Sequence, residues 1–159
     1  MTDRESVMRR QDITEVLDRQ IKENTSNGNA APGEAWYEEG YARAVELLEE
    51  FNDLDWHVLK KMFGARSRIW QEACVYVLGK TGTEGAAAML ADVFIRGHDA
   101  ISCYAAVYLA EENLDTFDEE VKRRIRLRAH DLFKDGAYRE QGDEYRAPLE
   151  KIREKLRPV

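Results

Sequence analysis

Proline is scarce in this chain: Pro32, Pro148 and Pro158 are the only three in 159 residues. The stretches between them are free to be helical, because nothing there removes a backbone donor or forces a kink. Cysteine is scarcer still, with only Cys74 and Cys103. Both sit among apolar neighbours, which predicts buried reduced thiols rather than a disulfide or a redox pair. Histidine is limited to His57, His98 and His130 on three separate segments, and His-x-x-x-His, Cys-x-x-Cys and Glu-x-x-His spacings are all missing. A metal centre has no ligand pattern to build on, and no cofactor is expected. No apolar run approaches the roughly 18–20 residues that cross a bilayer, so no membrane partner is expected. The opening Met1-Thr2-Asp3-Arg4-Glu5 has no apolar core of an export signal, which sets a cytoplasmic expectation. Asn24-Thr25-Ser26 then reads as a polar turn rather than a glycosylation acceptor. Strand patterns are missing as well, with no alternating apolar run and no Asn-Gly hairpin between β-branched stretches. The predicted fold class is all-α.

Positive charge is in deficit. The formal net charge is −7, which argues against a nucleic-acid partner, because such binding needs a basic footprint. Residues 1–117 hold 12 Lys/Arg against 21 Asp/Glu, whereas residues 118–159 hold 12 against 10. An acidic body thus carries a mildly basic tail.

What the chain does have is a weak internal repeat. Ala73-Cys74-Val75-Tyr76-Val77-Leu78-Gly79 returns 32 residues later as Ala105-Ala106-Val107-Tyr108-Leu109-Ala110-Glu111. Leu59, Met62 and Phe63 lie 31 residues before Leu90, Val93 and Phe94. A helix pair recurring with a period in the low thirties is the sequence form of a helical solenoid.

The helices can be placed by apolar spacing and punctuation. A first helix over about 4–24 has a sparse stripe of Val7, Ile13, Val16, Leu17 and Ile21, and the polar run from Asn24 to Gly33 reads as a loop that leaves it loosely attached. The second, from Gly33–Glu34 to about Phe51, presents Tyr37, Tyr41, Ala44, Leu48 and Phe51 inward, with Trp36, Gly40 and Leu47 widening the buried face, and an acidic outer face. Asp53 or Asp55 is the expected cap of a short helix carrying Trp56, Leu59, Met62 and Phe63. Ser67 caps the next, which ends at a Gly79-Lys80-Thr81-Gly82 turn where glycine can take a left-handed cap. Thr83 caps a helix through Arg96, and Asp99 one through about Glu112. Asp115 or Thr116 leads into a long helix over about 118–135 that Gly136 stops, and a last helix covers about 143–157. The division expected is an N-terminal helix with a polar linker over 1–33, then a helical domain over 34–159.

The run from Gln71 to Gly97, QEACVYVLGKTGTEGAAAMLADVFIRG, resembles the short HEAT-like repeats of phycobilisome-lyase-type and other prokaryotic HEAT proteins. Small residues such as Ala73, Ala105 and Ala106 let neighbouring helices approach, while Leu78, Leu90 and Val93 fill the layer between pairs. The resemblance covers about 100 residues and is clearest over 67–112. The arginine that many such repeats carry at the start of the first helix is missing, and the third pair is longer than the template. The resemblance implies a short α-α superhelix of about three helical pairs (34–63, 67–96 and 99–135) with flanking helices. It also implies a concave face lined by second helices, here 83–96 and 118–135, which carry Asp92 and Arg96 and the cations of the tail.

Candidate chemistry gives way to packing explanations. Gly79-Lys80-Thr81 looks like the end of a phosphate-binding loop, but that motif needs a glycine where Cys74 stands and a strand before it. The two cysteines lack the exposed electropositive setting of a nucleophile. No enzymatic activity is expected. The sharpest charged feature is Lys122-Arg123-Arg124-Ile125-Arg126-Leu127-Arg128. Its plain reading is a solvated helix with Glu119–Arg123 and Glu120–Arg124 pairs. Its functional reading is that Lys122, Arg123, Arg126 and His130 share one face and present cations to a partner. Trp36, Trp56 and Trp70 all read as core positions; Trp56, between acidic loops, is the least secure of them and the candidate for an exposed anchor.

The function expected is therefore non-catalytic protein binding. Its most specific form is an immunity protein neutralising a cognate bacterial toxin, since an acidic surface speeds capture of a basic toxin domain. A general HEAT-like scaffold is the alternative. Further readings are self-association through a solenoid end and, in a different class, a HEAT-like enzyme of DNA-glycosylase or bilin-lyase type.

Overall fold

The computed structural model describes residues 3–25, 32–134 and 136–157, with side chains described from residue 13 onward. The Val7 position and most of the loop expected over 24–33 lie outside the described side chains and residues. Among the described residues every regular element is helical, so the chain is all-α. None of these helices is long and apolar enough to cross a membrane.

Two compact units divide the chain, residues 1–86 and 87–159. The first contains α1 (Asp3–Thr25), a π-helical turn (Trp36–Gly40), α2 (Tyr41–Glu49), α3 (Asp53–Phe63), α4 (Arg68–Lys80) and the start of α5 (Glu84–Arg96). Here α1 packs against α2, α3 and α4. Leu17 and Ile21 of α1 are fully buried, alongside Trp36, Ala44, Leu48, Leu59 and Trp70. Asp18 accepts hydrogen bonds from Arg66 Nε (3.0 Å) and Nη2 (2.8 Å) and from Trp70 Nε1 (3.0 Å). The C-terminal half of α1 is thus pinned by a core stripe and a three-bond polar clamp, and the loose attachment expected for it is not what the fold shows.

The helix expected from Gly33–Glu34 does start at Glu34 but passes through a π turn before α2; Trp36 is fully buried as expected, whereas Tyr37, expected to face inward, is 38% exposed. Gly40 permits this, because a Cβ there would crowd the Trp36 ring and the Asn24 amide.

The second unit holds the rest of α5, then α6 (Asp99–Leu109), a 3-10 turn (Leu114–Thr116), α7 (Glu119–Lys134), α8 (Ala137–Gln141), a second 3-10 turn (Asp143–Tyr145) and α9 (Arg146–Lys155). Here α7 packs on α9 and α8, and α6 packs on α8 and α9. Ile125, Ala129 and Leu132 of α7, Leu149 and Ile152 of α9, and Ile101, Ala105 and Leu109 of α6 are all buried. Gly136 stops α7 with a left-handed backbone (φ 68°), a conformation that glycine adopts without strain. Pro148 is tolerated because it falls in the first turn of α9.

Several caps differ from expectation. Asn52, rather than Asp53 or Asp55, caps α3; its side chain accepts from Asp55 N while Asp55 accepts from Asn52 N, both at 3.0 Å. This reciprocal box places Asp55 at the third helical position and buries it. Asn52→Ala is expected to lower the unfolding free energy by about 1 kcal/mol, measurable as a shifted urea midpoint with an unchanged slope. His98, rather than Asp99, caps α6 by accepting from Ile101 N at 3.4 Å on Nδ1. Gly79 lies inside α4 and the turn begins at the extended Thr81, so no left-handed glycine is used there. Asp118 caps α7, accepting from Val121 N at 2.8 Å, and the last helix expected over about 143–157 is a 3-10 turn leading into α9, with the short α8 before it not anticipated.

The repeat is visible in a pair of equivalent bonds. Gln71 Nε2 reaches back from α4 to the Phe63 carbonyl at 2.8 Å, and Ser102 Oγ reaches back from α6 to the Phe94 carbonyl, also at 2.8 Å. Phe63/Phe94, Ser67/His98 and Gln71/Ser102 all match at a spacing of 31 rather than 32. The apolar match of Ala73 with Ala105 is one residue out of this register. It survives because Ala73, Cys74, Ala105 and Ala106 are all buried.

Candidate protein-binding groove

The run of cations on α7 is sorted by the fold into three kinds. Arg123 donates to Glu120 through Nε (3.1 Å) and Nη2 (2.8 Å), and Arg124 Nε donates to the same carboxylate at 3.1 Å. These hydrogen bonds from Arg123, then Arg124, hold the Glu120 carboxyl down at about 2. Lys122 lies 3.2 Å from Glu119 and 3.8 Å from Asp115. So Lys122, Arg123 and Arg124 are neutralised on their own surface: the expected Glu120–Arg124 pair forms, while Arg123 takes Glu120 and Lys122 takes Glu119 at i, i+3 spacing in place of the expected Glu119–Arg123 pair.

Arg128 turns inward. Its guanidinium donates to the Phe94 carbonyl (3.3 Å), the Gly97 carbonyl (2.9 Å), Asp99 Oδ1 (3.1 Å) and Ser102 Oγ (3.1 Å). It closes the end of α5, satisfying carbonyls that a helix terminus leaves open.

Arg126 is the third kind. With Leu127, His130 and Phe133 it forms one wall of a groove of about 610 Å³, and Arg146, Glu150, Arg153, Glu154 and Arg157 form the other. Along α9 and just past its end, Arg146, Glu150, Arg153 and Arg157 recur at spacings of four, three and four, which is one helical face, with Glu154 beside Arg153. Arg146 Nε pairs with Glu150 at 3.2 Å. The Arg153 guanidinium sits 4.5 Å from the Phe133 ring centroid and that of Arg146 5.9 Å, and Phe133 itself stacks on Tyr138 at 5.6 Å. A guanidinium held over an aromatic face keeps its charge and its in-plane donors while losing side-chain freedom. Arg126, Arg153 and Arg157 have no carboxylate within ion-pair distance among the described residues. Leu127 stands at the rim, 46% exposed.

Of the residues singled out in sequence, Arg126 and His130 thus share the groove, while Lys122 and Arg123 belong to the paired surface before it. Asp92 and Arg96 pair with each other along α5 at 3.1 Å. Trp56, in the first unit, is half-buried rather than an exposed anchor. It meets Phe51 edge-on at 5.0 Å, and Gly85 leaves room for its indole where any Cβ would overlap. Arg146, Arg153 and Arg157 were missed. Their signal was the i, i+7, i+11 spacing on the last helix, which only gains meaning beside α7.

The cysteines are packed away. Both are free and buried; burial pushes the Cys103 thiol up to about 11 and raises Cys74 further. Among the described residues no group of three His, Cys, Asp or Glu side chains is placed to hold a metal. Comparison with known proteins gives no match: no family model, curated protein or solved structure is significantly similar to this chain.

Proposed function

We propose that this chain is a non-catalytic protein-binding module. The observation that carries the reading is the α7–α9 groove, where Arg126, Arg153 and Arg157 keep their charge beside an exposed Leu127 while the neighbouring cations are spent on internal pairs. Charged groups ringing apolar surface supply both encounter and register for another protein. The paired 31-residue bonds of Gln71 and Ser102 support a repeat scaffold of HEAT-like type, a class built to present surfaces.

The most specific form of this reading is a cytoplasmic immunity protein that neutralises a cognate toxin. The excess of 21 Asp/Glu over 12 Lys/Arg in residues 1–117 favours it, since it accelerates encounter with a basic toxin domain. The test is co-expression of the full chain with the product of the adjacent gene, followed by size-exclusion chromatography and a toxicity assay. Co-elution with loss of toxicity is the expected result. Co-elution with a non-toxic protein would shift the reading to a general scaffold, and failure to co-elute with any neighbour would remove the immunity form. For an immunity complex, the double reversal Arg126→Glu with Arg153→Glu should weaken affinity by about 10-fold or more, read by surface plasmon resonance.

A further inference from the structure

We infer that the α7–α9 groove reads carboxylates: it takes a short acidic segment of a partner protein that carries at least two Asp or Glu side chains and one apolar side chain. This rests on the protein-binding reading above and names the chemistry of its partner.

The donors set the ligand class. Arg126 reaches in from α7, Arg153 from α9 and Arg157 from just beyond its end. A guanidinium offers its donors as a planar fork that matches a carboxylate in two parallel bonds. Arg153 is already oriented by the Phe133 ring 4.5 Å away, so less freedom is lost when it binds. Arg146 spends its charge on Glu150, which leaves three guanidinium groups for the ligand. Leu127 at the rim gives an apolar side chain of the ligand something to cover.

The same wall disfavours a nucleic acid. Glu150 and Glu154 line it among the arginines, and a backbone carrying a phosphate at every step would meet both. Binding such a backbone needs a continuous basic track, whereas the paired Lys122, Arg123 and Arg124 already hold carboxylates of their own. A segment with spaced carboxylates and a hydrophobic residue between them fits the alternation; a uniform polyanion does not. With the acidic body, this requires a partner that is basic or neutral at large and acidic where it enters the groove.

The test uses the full chain and a fluorescein-labelled hexapeptide, Glu-Leu-Glu-Asp-Leu-Glu, read by anisotropy at low and physiological salt. The Gln/Asn version of the peptide and a single-stranded oligonucleotide of matched charge serve as comparisons. The acidic peptide should bind about 10-fold or more tighter than its amide version, and tighter than the oligonucleotide. Arg126→Glu with Arg153→Glu should abolish that preference, Arg126→Lys should retain part of it, and Lys60→Glu on α3 should leave it unchanged. Circular dichroism melts confirm that each variant is folded, and Leu127→Glu at the exposed rim provides a second disruption if the double variant is not. Equal binding of acidic and amide peptides, or preference for the oligonucleotide, overturns the inference. If the neighbouring gene product still co-elutes with the Arg126/Arg153 double variant, the carboxylate-reading assignment fails while the protein-binding reading stands. In the unmodified chain, absence of both a preference for the acidic peptide and any co-eluting protein fails both.

Discussion

Arg128→Ala is expected to destabilise the protein by about 2–4 kcal/mol, a large share of the stability of a domain this size. The reason lies in what the guanidinium satisfies. Arg128 is 22% exposed at its side chain and is shared among two carbonyls, a carboxylate and a hydroxyl, all at the α5–α6 turn. Removing it leaves the Gly97 carbonyl without that donor and Asp99 without its cation. Ser102 Oγ still bonds the Phe94 and Gly97 carbonyls, so the turn keeps its first latch and loses its brace. Arg128→Met, which keeps the aliphatic stem, separates packing from polar loss and should cost nearly as much as alanine. Arg128→Lys supplies a point charge without the fork and should recover less than half. Equilibrium urea unfolding reads the total. Hydrogen exchange reads the place: amides of residues 97–103 should open at least about 30-fold more often, the equivalent of 2 kcal/mol. A loss under about 0.5 kcal/mol would show that solvent replaces the arginine at this turn.

The fate of Arg128 shows what a one-dimensional reading of charge can and cannot do. The spacing of Lys122 to Arg128 establishes a cationic helix, and the acidic residues one turn earlier establish that some cations will be paired. Which cation turns inward depends on the α5–α6 turn, more than twenty residues away in sequence, whose open carbonyls appear only once α7 packs nearby. The groove was hidden for the same reason. Half of it belongs to α9 and the residues just after it, where Arg146 and Arg153 look like any solvated helix face until Phe133 is set beside them. Lys122 and Arg126 lie within one face by angle alone, yet Asp115, from the preceding 3-10 turn, helps claim Lys122.

Helical class, most helix spans and the core residues were legible, because amphipathic spacing and polar caps are local signals. Leu59, Phe63, Ala73, Leu78, Leu90, Phe94, Ile125 and Ala129 are buried as their spacing predicts. Caps were less legible where two polar residues compete. Asn52 and Asp53 are both good capping residues, and Asn52 wins because Asp55 then sits three positions on, able to return the bond. At α6 an imidazole takes the cap and releases Asp99 to meet Arg128, which no capping preference would forecast. The π turn was illegible for a different reason: one extra residue in a helical coil leaves Trp36 buried as its spacing predicts but Tyr37 outside the core, without changing composition.

Asp18→Asn is expected to cost about 2–3 kcal/mol at neutral pH, and the cost should vanish in acid. Asp18, 13% exposed, binds Arg66 in a two-bond fork at 3.0 and 2.8 Å, accepts from the Trp70 indole at 3.0 Å and lies 3.2 Å from Lys22. Burial alone would raise its carboxyl; the hydrogen bonds and charges of Arg66 and Lys22 outweigh burial and hold it below the ordinary 3.8. A carboxyl whose folded value is depressed contributes stability that is fully present above its unfolded value. That contribution falls away as pH drops through the folded one. Wild type should therefore lose this contribution below about pH 4, whereas Asp18→Asn, already neutral and of the same shape, has none to lose. The gap between the two in urea midpoint, wide at pH 7, should narrow as pH falls below about 4. A gap that stays constant across that range would mean that Asp18 acts through shape and neutral hydrogen bonding rather than through its charge. In that case α1 would be held to α4 by Leu17 and Ile21 without help from the ion pair.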